Sequence, residues 1–282
     1  MALKIDNYSL YLVISEEYSL GKTALEVARQ AISGGVDIIQ LREKNKPKDE
    51  LLKLARELSK ICNEERVIFI VNDDPLIAKE TQADGVHLGQ GDLQKFSLAK
   101  ARALLGRDKI IGVSTHSLDE FKSANQDEVD YIAYGPIFPT KTKDYFLGAK
   151  DIKEIMAIAR KPVFFIGGVD LNNLDELLSA GAKNIALIRG IMQSEDIKAA
   201  SRIFKNRLIQ QRKPVTVIVR INGKAEVVAE KINILELVKH KNLLAENIVI
   251  EHNLRIVPKN EWWQVNLNEN DTLEIVNFMG GG

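Results

Sequence analysis

One cysteine, Cys62, stands among 282 residues, so no disulfide can form within the chain. Its place in a helical pattern marks it as a small buried side chain. Net charge is lacking as well, because 39 Lys and Arg balance 39 Asp and Glu. The balance holds locally, with one excess negative charge from Lys213 onward and one excess positive charge before it. That excludes a global field recruiting nucleic acid or a membrane surface. No long apolar run and no N-terminal signal peptide is seen, which points to the cytoplasm. The four histidines, His87, His116, His240 and His252, lack metal-site spacing. Phosphate-loop signatures fail too. Gly21-Lys22-Thr23 ends like one, but its leading glycine would have to be Glu16. Gly89-Gln90-Gly91 has no third glycine, since position 94 is Gln.

What is present is ordinary globular composition, 45% apolar and 28% charged. The length accommodates one large core and a small second one. Up to about residue 210, short β-branched runs alternate with amphipathic helical patterns. The runs predict strands at Tyr11–Ser15, Ile38–Glu43, Val67–Asn72, Gly85–Leu88, Ile110–Thr115, Tyr131–Phe138, Val163–Gly168 and Ile185–Arg189. The intervening patterns predict helices at Ala24–Ser33, Asp49–Cys62, Leu76–Glu80, Leu98–Leu105, Leu118–Asn125, Ile152–Arg160, Leu171–Ala180 and Asp196–Gln210. Near-continuous apolar strands between helices imply a parallel sheet covered on both faces. This repeat matches a closed (β/α)8 TIM barrel, with a doubly wound sheet as the competing architecture.

The pattern changes at Arg212-Lys213-Pro214, dividing the chain into 1–212 and 213–282. Beyond it, Val215–Ile221, the turn Asn222-Gly223 and Ala225–Glu230 read as a β-hairpin. A helix around Ile234–Val238 follows, then Ile248–Glu251, a turn at His252-Asn253, Arg255–Val257 and Thr272–Phe278. That order suits a small α+β roll ending in Gly280-Gly281-Gly282.

In a barrel the loops after the strands share one face, so strand-end residues belong together. Gln40, Arg42 and Lys44 alternate onto one side of an extended segment, one amide and two cations suited to a polyanion carrying a hydrogen-bonding ring. Other strand ends bring Asn72, Asp73, Ser114, His116, Thr140, Thr142, Lys143, Gly167, Gly168, Ile188 and Arg189, while Asp92 follows the fourth strand. Two carboxylates, Asp73 and Asp92, beside several cations suit Mg2+ with a bridged pyrophosphate. The late glycines suit a second phosphate. Asp92 and Asp74 serve equally as helix caps, and His116 as a general base or a hydrogen-bonded loop residue.

Six motifs then occur in one order: Gln40-Leu41-Arg42-Glu43-Lys44, Val71-Asn72-Asp73, Val86-His87-Leu88-Gly89-Gln90-x-Asp92, Gly112-Val113-Ser114-Thr115-His116, Gly135-Pro136-Ile137-Phe138-Pro139-Thr140-x-Thr142-Lys143 and Ile166-Gly167-Gly168-Val169. Over roughly the first 210 residues the chain resembles thiamine phosphate synthases. The last part resembles thiamine sulfur carrier proteins, a ubiquitin-like (β-grasp) fold, through Asn222-Gly223, Arg255-Ile256-Val257-Pro258 with Trp262, and Glu274-Ile275-Val276-x-Phe278 before the glycine end.

The resemblance implies joining of 4-amino-2-methyl-5-hydroxymethylpyrimidine diphosphate to a thiazole phosphate, with release of pyrophosphate. Gln40, Arg42, Lys44, Asn72, Ser114 and Lys143 would hold the pyrimidine diphosphate, with Arg42, Lys44 and Lys143 carrying catalysis. Asp73 and Asp92 would bind Mg2+. Thr140 and Thr142 would contact the thiazole, and Gly168, Ile188 and Arg189 its phosphate. Two departures stand out: Arg189 where such synthases usually carry a small residue, and a 144–148 segment without their usual prolines. For the carrier part, the resemblance implies adenylation of Gly282, after Gly281, by a partner enzyme, and sulfur delivery to thiazole synthase. Relatives of the barrel are often homodimers. Two alternatives keep the barrel but change its work. One is a thiazole tautomerase using His116, and the other a non-catalytic docking module for the carrier.

Overall fold

A computed structural model describes residues 4–140, 143–211 and 216–277. The chain divides into two compact units, Met1–Arg212 and Lys213–Gly282. The junction Arg212-Lys213-Pro214, Thr142 and the terminal Gly280-Gly281-Gly282 lie outside the described residues.

In the first unit eight parallel strands close into a barrel. They are β1 (Leu10–Ile14), β2 (Ile38–Leu41), β3 (Ile68–Asn72), β4 (Gly85–Leu88), β5 (Ile110–Thr115), β6 (Tyr131–Tyr134), β7 (Val163–Ile166) and β8 (Asn184–Leu187). Closure comes from β8 pairing with β1, Ala186 lying opposite Tyr11. The expected TIM barrel is therefore the observed one. Helices follow the strands: α1 (Ala24–Ser33), α2 (Lys48–Glu65), α3 (Pro75–Glu80), α4 (Gln90–Lys95), α5 (Leu98–Leu105), α6 (Leu118–Ala124), α7 (Ile152–Ile158), α8 (Leu174–Ser179), α9 (Arg189–Met192) and α10 (Ile197–Gln210).

Strand alternation sorts the core into two layers. Leu10, Leu12 and Ile14 join the layer between sheet and helices. Tyr11 and Val13 join a second cluster with Ile38, Ile70, Tyr131, Phe164 and Ala186. Both layers are apolar, which is why the strands read as unbroken hydrophobic runs. The helices complete the outer layer. α1 buries Ala24, Val27, Ala28 and Ala31 on one stripe and starts with a Thr23–Glu26 capping box. Cys62 is buried on α2.

Several strands stop before their expected ends, each for a local reason. β2 ends at Leu41 rather than Glu43. Arg42 keeps one ladder bond, its N–H donating to Ile14 O at 2.8 Å, before the backbone turns toward α2. Lys44 therefore sits in a bend and not on an extended strand. β6 ends at Tyr134 because Gly135-Pro136 follows, and proline has no N–H for the ladder. β7 ends at Ile166 because Gly167 and Gly168 take φ of +97° and +68°. Those values favour glycine, and a Cβ on Gly168 would lie 2.5 Å from Pro139 O. β8 stops before Arg189, which opens the unanticipated α9. α8 starts three residues late, because the Asp170 carboxylate holds the N–H groups of Asn172 and Asn173 in a turn.

The second unit is a five-stranded mixed sheet ordered β10-β9-β13-β11-β12. Its strands are β9 (Thr216–Ile221), β10 (Lys224–Ala229), β11 (Ile248–His252), β12 (Arg255–Val257) and β13 (Thr272–Asn277), with α11 (Ile234–His240) after the first hairpin. The parallel pair β9–β13 lies at its centre, giving the β-grasp arrangement expected. Its own core gathers Val219, Ile234, Leu237, Ile250, Trp262 and Leu273. The buried Trp262 indole donates to Val257 O at 2.9 Å. The second turn falls at Asn253-Leu254, one residue later than expected, with φ of +48° and +67°. No helix among the described residues is long and apolar enough to cross a membrane.

Candidate active site

The loops after the barrel strands surround a cleft of about 240 Å3. Its lining includes Gln40, Arg42, Asn72, Ser114, Thr140, Lys143, Gly168, Ile188 and Arg189. These come from separate βα corners, and strand alternation explains the inward ones. Gln40 follows Ile38 into the barrel, and Arg42 continues two residues on at the rim. Lys44 lies outside this lining but close enough to Asp73 to favour its ionised form, as does Arg42.

The carboxylates meet beside these cations. Asp73 takes φ +65°, a sharp left-handed turn directly after β3. Its N–H donates to His87 O at 2.8 Å, which ties the turn to β4. Asp92 sits in the first turn of α4 and accepts from Gly89 N at 3.2 Å. It is thus both a helix-start residue and a member of the cluster. Asp73 and Asp92 hydrogen-bond to each other, and burial, followed by that bond, pushes the Asp73 carboxyl up to about 6. Asp74, by contrast, is a cap only, accepting from Leu76 N and Ile77 N at 2.8 and 3.0 Å.

Sequence reasoning passed over the floor of the cleft. Tyr11, Tyr131 and His87 are buried inside the barrel, joined to the ends Gln40 and Ser114. Gln40 Nε2 donates to Tyr11 Oη at 2.7 Å, and the two tyrosine hydroxyls lie 2.8 Å apart. His87 Nδ1 is 2.8 Å from Tyr131 Oη, and its Nε2 is 2.8 Å from Ser114 Oγ. Burial pushes the imidazolium of His87 down to about 4, so the ring is neutral near pH 7. Phe164 packs edge-on against both tyrosines at 5.1 and 5.4 Å, contacts worth ~0.5–1.5 kcal/mol each beyond area burial. The available signal was a polar tip on inward positions of β1, β4 and β6.

The far wall holds the second group of expected contacts. Arg189 Nη2 donates to Thr140 Oγ1 at 2.7 Å, and its guanidinium lies 5.5 Å from the centre of the Tyr18 ring. Tyr18 also lines the cleft and had not been expected there. Lys143 Nζ lies over Tyr145, 5.8 Å from the ring centroid. His116 carries a proton on Nδ1, which donates to Gly135 O at 2.6 Å.

The sequence matches the thiamine monophosphate synthase family over residues 10–191 and the ThiS family over 216–282. It is 39% identical over 209 residues to a thiamine-phosphate synthase of Halalkalibacterium halodurans, covering 73% of this chain and 97% of that protein. A thiamine-phosphate synthase of Shouchella clausii is 43% identical over 201 residues, 69% of this chain and 93% of that one. The solved thiamine phosphate pyrophosphorylase of Pyrococcus furiosus superposes with a TM-score of 0.67 at 30% identity, over 73% of this chain and 98% of that chain. The chain belongs to the thiamine monophosphate synthase family of enzymes and carries, after its barrel, a ThiS-family domain.

Proposed function

We propose that the barrel condenses 4-amino-2-methyl-5-hydroxymethylpyrimidine diphosphate with a thiazole phosphate, forming thiamine phosphate and pyrophosphate. The observation that carries this reading is the meeting of Gln40, Arg42, Asn72 and Ser114 at one cleft beside the Asp73–Asp92 pair. Gln40, Asn72 and Ser114 bind the ring, while Arg42, Lys44 and Lys143 stabilise charge gathering on the departing diphosphate. The C–O bond breaks first, and the thiazole nitrogen attacks the resulting pyrimidine cation. No side-chain nucleophile is needed. Thr140 and Thr142 contact the thiazole, with Gly168, Ile188 and Arg189 at its phosphate.

The acidic pair fits Mg2+. Two carboxylates close enough to share a proton offer a position where a divalent ion takes its place. Among the described residues no cluster of three or more metal-ligating side chains occurs. Two carboxylates with water and diphosphate oxygens suit Mg2+, which keeps several non-protein ligands. Such an ion held by Asp73 and Asp92 would supply Lewis-acid stabilisation of the leaving group. A tautomerase using His116 would leave this pair without a role.

For the ThiS-family domain the reading is a sulfur carrier whose Gly282 carboxylate is adenylated by a partner enzyme and becomes a thiocarboxylate for thiazole synthase. Incubating the full chain with both substrates and Mg2+ should yield thiamine phosphate, and its absence from folded protein would end the synthase reading. An adenylating enzyme, ATP and a sulfur donor should convert one terminal oxygen to sulfur, read by intact mass.

A further inference from the structure

We propose that Tyr11, Tyr131 and His87 are positioning residues. They couple Gln40 to Ser114 in one directional hydrogen-bond chain, so that the cleft presents a carbonyl and a hydroxyl proton together and selects a 4-aminopyrimidine over its 4-oxo counterpart. The inference rests on the synthase reading and adds the means of choosing between ring forms.

The direction follows from proton counting. Gln40 Nε2 donates to Tyr11 Oη, so the single Tyr11 proton is left for Tyr131 Oη. The Tyr131 proton then goes to His87 Nδ1. A neutral imidazole carries one N–H, which is therefore on Nε2 and donates to Ser114 Oγ. The Ser114 proton is left over, and Ser114 lines the cleft. At the other end Gln40 spends its Nε2 on Tyr11 and also lines the cleft, so its carbonyl is the group it offers there.

One alternative satisfies all four contacts: every link reversed at once. Gln40 would then show its NH2 and Ser114 its lone pairs. Any mixed arrangement either leaves a buried tyrosine proton without an acceptor or sets two protons or two lone pairs against each other, where no solvent compensates. The two ends consequently switch together or not at all. An exocyclic amine beside an unprotonated ring nitrogen needs an acceptor and a donor, which is the pair that the Gln40 donation to Tyr11 sets. An oxo group beside a ring N–H needs the reverse.

The test compares kcat/KM for the 4-amino and 4-oxo pyrimidine diphosphates in the full chain, wild type and Tyr131→Phe. Wild type should favour the amino form by at least about 100-fold. Cutting the chain with Tyr131→Phe should shrink that ratio by about tenfold or more, chiefly by raising KM for the amino substrate. Nitrogen NMR of wild-type protein labelled at histidine adds a reading independent of any variant's folding. His87 should carry its proton on Nε2. An unchanged ratio in Tyr131→Phe, or a proton on Nδ1, overturns this inference and leaves the synthase reading standing. No condensation product from either pyrimidine overturns both.

Discussion

Arg189 is tied across the cleft to Thr140, its Nη2 donating to the threonine hydroxyl at 2.7 Å. The bond links the start of α9 to the segment after β6, and Tyr18 supports the same guanidinium from its ring face. An arginine there is held by the cleft wall and keeps other donors for a phosphate.

Arg189→Ser should accordingly raise KM for the thiazole phosphate by about tenfold, the scale of one charge-assisted hydrogen bond. KM for the pyrimidine diphosphate should stay within about twofold. Steady-state kinetics with each substrate varied in turn checks this, and equal effects on both would count against a local role.

Arg42→Ala removes a cation at the cleft rim beside Asp73. Turnover should fall by at least about 100-fold if leaving-group stabilisation resides there. Single-turnover measurement separates this loss from slower binding, and the melting temperature should move little because the residue is at the rim.

The acidic pair predicts a pH-dependent response to metal. Asp73 holds its proton to about 6 in the folded chain against an ordinary 3.8, so the folded state binds that proton more tightly. Its contribution to stability is complete below the ordinary value and lost as pH rises through about 6. Above that point the two negative carboxylates are open to a divalent ion. The rise in melting temperature caused by Mg2+ should be small near about pH 5 and grow to a plateau by about pH 7.5. Calorimetry with and without Mg2+ measures it. In Asp92→Asn the increment should largely vanish.

Gly112 makes room for the Tyr131 ring, since a Cβ there would lie 1.9 Å from Tyr131 Cζ. Gly112→Ala should cost about 1–3 kcal/mol through overpacking. Urea denaturation gives the value, and an unchanged midpoint would mean that the ring moves aside freely.

Trp262→Ala should cost about 3–5 kcal/mol within the second unit alone. Thiamine phosphate formation by the barrel should survive at temperatures where the variant's second unit has melted, as followed by calorimetry alongside product assays.

Much of the fold was legible because both signals are local. Runs such as Leu10–Ile14, buried on both faces, and stripes such as Ala24, Val27, Ala28 and Ala31 depend on neighbours in sequence. Within the cleft, Gln40 and Arg42 were legible by alternation, and Asp73 by its place after a strand. The strand ends were less so, because Gly135-Pro136 and Gly167-Gly168 stop pairing through backbone geometry. Least legible was the Tyr11–Tyr131 contact, 120 residues apart in sequence. Each tyrosine sits in an apolar run where it passes for core, and only barrel closure brings their hydroxyls together.

The barrel and the ThiS-family domain have separate hydrophobic cores yet share one backbone. Each round of translation therefore releases them in a fixed one-to-one ratio. Supply of one cannot be raised without the other.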